Sequence, residues 1–110
     1  MKTLIQQLIT IKSISGREQT ISEFVFSWLK KQAEIKLIKI GNGNIAFCIE
    51  GKNRTKALIF NAHLDTVRPG NISDWIYPPF GSTSGVIKEE KIYGLGASDE
   101  KAGVAALMFL

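Results

Sequence analysis

The 110-residue chain has little of several things that would fix its class at once. It holds one cysteine, Cys48, so no disulfide can close within it and a disulfide scaffold is excluded. A lone thiol also fits a reducing compartment, and a cytoplasmic location is the expectation. No stretch approaches the ~18 apolar residues of a membrane-spanning helix. The N-terminal run Met1–Ile9 is broken by Gln6 and Gln7, so it reads as an amphipathic helix rather than a signal peptide. No membrane partner is expected. Neither sign of charge dominates: 14 Lys and Arg against 10 Asp and Glu leave +4. The bases Lys30, Lys31, Lys36, Lys39, Lys52, Arg54 and Lys56 are scattered over helix ends and turns. No basic stripe with stacking aromatics forms, so no nucleic acid partner is expected either. The ten glycines keep no triplet period and no heptad runs through the chain. With 45% hydrophobic residues the chain is too apolar for a disordered tail. One globular domain, or part of one, remains.

Leu4, Ile5, Leu8 and Ile9 repeat at helical spacing and predict a helix over 2–12. Ser15 followed by Glu18 has the spacing of a capping box and predicts a second helix over 17–33, with Ile21, Phe24, Val25, Trp28 and Leu29 on its buried stripe. The period then changes. Residues 35–40 and 45–50 read as two strands around the turn cluster Gly41–Asn44, with Cys48 an inert packed thiol in the second. Residues 57–62, Ala-Leu-Ile-Phe-Asn-Ala, form a nearly continuous apolar run of the kind found in a strand buried on both faces. Residues 68–85 read as an irregular loop with Trp75 and Tyr77 exposed, and loops of that length are usually functional. Residues 86–93 predict a tight two-stranded element. Residues 102–110 predict a helix apolar all round, and therefore buried. Because it lacks any stop signal, the chain is expected to be part of a longer protein. A poorly soluble fragment is the corollary.

Two places can carry chemistry. At the end of the apolar run stands Asn61-Ala62-His63-Leu64-Asp65. His63 is the only histidine. In an extended backbone His63 and Asp65 share a face, so the carboxylate can hold the imidazole in one orientation, as partners of metal-bound histidines do. Taken alone, such a pair is more often plain surface. The second place is Gly94-Leu95-Gly96-Ala97-Ser98-Asp99-Glu100-Lys101-Ala102-Gly103. A Gly-x-Gly before a helix can hold a phosphate. The third glycine of a dinucleotide fingerprint would fall at Asp99, whose charge repels phosphate. An ionised carboxylate there suits a divalent cation, or simply the helix dipole. Gly103 within a helix costs about 1 kcal/mol against alanine, which points to a packing or functional reason.

Together, His63-x-Asp65, then Trp75 with Pro78-Pro79-Phe80, then Tyr93-Gly94-Leu95-Gly96-Ala97 and Asp99-x-Lys101-x-Gly103 resemble the zinc-dependent amidohydrolase and exopeptidase family. That family includes acetylornithine deacetylase, succinyl-diaminopimelate desuccinylase, aminoacylase, carboxypeptidase G-type enzymes and tripeptidase. The resemblance extends over the whole chain. Departures are Asn61-Ala62 where glycine is frequent, Val67-Arg68-Pro69-Gly70 for Val-Pro, and Leu95 for arginine. Glu100-Lys101-Ala102-Gly103 is as close to the tripeptidase version as to the deacetylase one. None removes a ligand.

The resemblance implies an α/β fold, a three-layer sandwich with helices on both faces of a mixed, largely parallel sheet. Residues 1–110 would be the N-terminal portion of the metal-binding catalytic domain, with the rest of it and any lid or dimerisation domain missing. It implies that His63 binds one Zn2+, that Asp65 orients His63, and that Asp99 bridges two Zn2+ ions, Co2+ or Mn2+ being alternatives. It further implies a cis peptide at Asp99–Glu100. The substrate would be a small N-acyl amino acid or short peptide, cleaved at an amide by metal-activated water, and the full protein would be a homodimer. The general base and remaining ligands would lie beyond Leu110, so the chain alone is expected to be inactive. Two other readings stand beside this one: a non-catalytic homologue that binds small ligands, and a nucleotide-binding domain using Gly94 and Gly96.

Overall fold

The computed structural model describes residues 1–39, 41 and 43–109, without the side chain of Lys39. The expectations for Ile40, Asn42 and Leu110 fall outside these residues. The helical repeat of Leu4, Ile5, Leu8 and Ile9 forms α1, Lys2–Thr10, with all four of those side chains buried. The second apolar stripe forms α2, Gln19–Leu29, and buries Ile21, Val25 and Leu29. A third helix, α3 (Lys101–Met108), adds Val104, Ala105 and Met108 to the same core. Leu8, Ile9 and Ile21 are wholly shielded from solvent. Each side chain so buried contributes about 1.5–3 kcal/mol relative to exposure.

The strands are short and pair in two antiparallel hairpins. β1 (Lys36–Lys39) pairs β2 (Ile45–Cys48) with Leu37 opposite Phe47. β3 (Val86–Lys88) pairs β4 (Lys91–Tyr93) with Ile87 opposite Ile92. Glu89 and Glu90 connect the second hairpin at φ 50° and 62°. Positive φ at both central residues matches the right-handed twist of hairpin strands. Among the described residues, an isolated parallel bridge joins Ile14 and Thr66.

Helices and strands are therefore both present, as an α/β reading requires, but several elements differ from expectation. Segment 57–62 is not a strand and is not buried: Leu58, Ile59 and Phe60 are 87%, 90% and 65% exposed. A strand needs neighbours to take its N–H and C=O groups, and the strands of each hairpin bond to each other instead. α3 buries only one face; Ala106 and Phe109 lie open. Cys48 sits in β2 as expected but is exposed rather than packed. The capping box does not form: Glu18 precedes the first residue of α2, no side chain caps that end, and the Glu18 carboxylate accepts from the Gly16 N–H. Trp75 and Tyr77 are half-buried rather than exposed. Trp75 Nε1 donates to the Pro69 carbonyl at 2.8 Å, and the Tyr77 ring lies 4.9 Å from that of Tyr93.

What positions the site is a set of ties from the N-terminal segment. Gln6 Nε2 donates to the Gly85 carbonyl at 2.9 Å, and the Gly81 N–H to that of Thr10 at 2.9 Å. Past α1 the chain turns extended. Thr66 N–H then donates to Ser13 O at 2.8 Å, and Ser15 N–H to Thr66 O at 3.1 Å.

Candidate metal centre

His63 Nδ1 lies 3.0 Å from the carbonyl oxygen of Asp65 and 3.2 Å from its Oδ1. Both are acceptors only, so Nδ1 carries a proton and donates it. On the far side of the ring, Nε2 is 3.1 Å from Asp99 Oδ1 and 3.6 Å from Glu100 Oε2. Ionised carboxylates also offer only lone pairs. Lone pairs meeting at that distance are stable only with positive charge between them, either a proton on Nε2 or a metal ion. The His63 pKa agrees. Its partial burial works against the imidazolium, but the Asp65 carbonyl and the carboxylates of Asp99 and Asp65 outweigh it, and His63 titrates above its ordinary value. The donor set, one imidazole nitrogen and carboxylate oxygens, suits Zn2+. Among the described residues no group of three or more His, Cys, Asp or Glu side chains is arranged to hold a metal ion. A zinc site needs three or four protein ligands, and the pair of His63 and Asp99 offers at most two donors toward one.

The second motif reaches His63 through a glycine turn. Gly94 and Gly96 have φ of 150° and 80°. Leu95 N–H donates to Pro79 O at 2.8 Å, and Lys101 N–H to Gly96 O at 2.9 Å. A Cβ at Gly96 would lie 2.8 Å from Thr66 Cγ2, so the absence of a side chain lets this turn press against the neighbour of Asp65. The peptide between Asp99 and Glu100 is cis, as the resemblance implies.

The structure thus gathers His63, Asp65 and Asp99 at one place, with side chains 47%, 36% and 88% exposed. It also brings in residues that the sequence reading left without a role there. Glu100 Oε2 accepts from the His63 backbone N–H at 3.2 Å. Ser15 Oγ donates to Asp65 Oδ2 at 2.5 Å, and this bond holds the Asp65 carboxyl below the usual carboxylate range. Lys101, only 2% exposed, donates from Nζ to the Ile11 carbonyl at 2.6 Å, and its burial lowers its pKa to about 8. No signal short of the fold marks Ser15, because its spacing to Glu18 already suggested a helix cap.

Residues 59–110 match the peptidase family M20/M25/M40. The chain is similar along 96% of its length to succinyl-diaminopimelate desuccinylases. It is 37% identical to that of Blochmanniella floridana over 110 residues and 33% identical to that of Wolbachia pipientis subsp. Culex pipiens (strain wPip) over 106. A probable enzyme of the same name from Staphylococcus aureus (strain MRSA252) is 26% identical over 106 residues. The chain spans 25–28% of the length of these relatives. The matched segment holds both motifs of the site, and through it and these relatives the chain is similar to members of the peptidase family M20/M25/M40.

Proposed function

We propose that residues 1–110 supply the first portion of the catalytic domain of a metal-dependent amidohydrolase that removes the acyl group from an N-acyl amino acid. The observation that carries this is the meeting of His63 Nε2 and Asp99 Oδ1 at 3.1 Å, from two motifs 36 residues apart. The desuccinylase relatives favour a deacylase over a peptidase, and an N-succinyl diamino acid is the first substrate to try.

In this reading His63 and Asp99 would help hold a pair of Zn2+ ions. The chemistry such ions would supply is polarisation of the scissile carbonyl and activation of water at neutral pH. Asp65 keeps the proton of His63 on Nδ1, which leaves Nε2 free as a ligand. Glu100 fixes the backbone of His63 through its N–H, and the Gly94–Gly96 turn brings Asp99 to the ring. Further ligands and the general base come from sequence outside this chain. The same sequence adds neighbours to segment 57–62, which then joins a largely parallel sheet in a three-layer α/β sandwich. The whole enzyme works in the cytoplasm as a homodimer, and residues 1–110 alone are inactive.

The test is metal analysis and hydrolysis of N-succinyl and N-acetyl amino acids and dipeptides by the full-length gene product, beside the 110-residue chain. Deacylation lost on chelation and restored by Zn2+, with the short chain silent, is the expected result. A full-length protein that binds no divalent metal, or a short chain that turns over substrate, overturns the reading.

A further inference from the structure

The hydroxyl of Ser15 is placed where a helix cap was expected, yet it does not cap α2. It donates to Asp65 Oδ2 at 2.5 Å, across 50 residues of chain. Its acceptor is a carboxylate, which makes the bond charge-assisted. The other oxygen of the same carboxylate, Oδ1, faces His63 Nδ1 at 3.2 Å. Asp65 is thus held from two sides, and only one of them is the histidine. The Ser15 backbone is fixed as well, through its N–H to the Thr66 carbonyl at 3.1 Å and the neighbouring Ile14–Thr66 bridge. Behind that lies α1, whose apolar face is part of the core.

A carboxylate that orients a metal-bound imidazole does so only if it cannot rotate. A carboxylate anchored by His63 alone could turn about its χ2 and offer either oxygen. With Ser15 on Oδ2, a turn breaks a second bond. We propose that Ser15 is a positioning residue for the metal centre, fixing the Asp65 carboxylate so that Asp65 in turn fixes His63. This rests on the reading that His63 and Asp99 hold a divalent cation.

The experiment uses the full-length protein and measures Zn2+ affinity by competition with a chromophoric chelator, together with thermal unfolding. Ser15→Thr keeps the hydroxyl; Ser15→Val has the same shape without it; Ser15→Ala removes both hydroxyl and bulk. Ser15 is exposed, so added bulk has room. Val and Ala should weaken Zn2+ binding by about 10-fold or more, the range seen when an outer partner of a metal ligand is lost. Thr should bind as the parent does. A purely structural serine would lower the unfolding temperature in Val and Ala without separating Thr from Val in affinity, and that result overturns the assignment. His63→Ala is the reference. If it loses affinity while Thr and Val bind alike, only the Ser15 role falls. If it leaves affinity unchanged, the metal-centre reading falls and the Ser15 role with it.

Discussion

The Nζ of Lys101 lies 2.6 Å from the carbonyl oxygen of Ile11, joining the first turn of α3 to the end of α1 across 90 residues of chain. Lysine is seldom buried, and this one has a partner where it is buried. Lys101→Met keeps the stem and removes the donor, leaving the Ile11 carbonyl without it. Urea denaturation of the full-length protein near pH 10, where the buried amine is neutral and the cost of burying its charge is absent, should show a loss of about 1–3 kcal/mol. An unchanged midpoint would mean that the bond adds nothing net.

The same lysine sets a pH dependence. Burial lowers its pKa from 10.5 to about 8 in the folded chain. Between those values the unfolded chain binds the proton and the folded chain does not, so stability rises with pH across that window. Below about pH 8 both forms are protonated, and the full cost of burying the charge is present. Denaturation midpoints of the parent should therefore climb from pH 8 toward 10.5 more steeply than those of Lys101→Met. Parallel curves would contradict this.

Gly96→Ala should be harmful. Its φ is 80°, and a Cβ there would sit 2.8 Å from Thr66 Cγ2 and 3.2 Å from Lys101 Cδ. Left-handed backbone and crowding against packed atoms together cost about 1–4 kcal/mol. Since Thr66 adjoins Asp65, Zn2+ affinity should fall along with stability. A variant as stable as the parent would show that the turn tolerates a side chain.

Gly103→Ala separates stability from function. Alanine within α3 gains up to about 1 kcal/mol of helix propensity. Its Cβ, however, would lie 2.8 Å from Glu100 Oε1 and 2.9 Å from Glu100 Cγ. The Glu100 side chain must move, and its bond to the His63 N–H goes with it. Deacylation by the full-length protein should drop while the unfolding temperature changes by only a few degrees. Unimpaired activity would show that the bond between Glu100 and His63 is dispensable.

Much of the fold was legible because its signals are local. The repeat of Leu4, Ile5, Leu8 and Ile9 forms its helix, and the β1–β2 and β3–β4 hairpins fall where period and turns put them. The pairing of His63 with Asp65 follows from their spacing. Their meeting with Asp99 came through the resemblance, since two segments 36 residues apart carry no period that joins them. Segment 57–62 is not the expected buried strand in this chain, because an apolar run reports what it can pack against and no described strand bonds to it. Ser15 was misread as a cap because a hydroxyl three residues before a glutamate satisfies a local rule, and the competing acceptor, Asp65, is visible only in three dimensions. Gly103 did have a packing reason, the space taken by the Glu100 carboxylate.

The bonds that frame the site join residues 36, 50, 79 and 90 apart in sequence. None can form until both ends exist and the intervening chain has closed, and contacts of such separation form slowly. On the ribosome, α1 is made early and must wait for Lys101 before its far end is tied down. Through that interval its apolar face is open to other partners. The geometry that ties α1 to the motif at Asp99–Lys101 therefore makes the candidate site wait until some ninety intervening residues have closed on themselves.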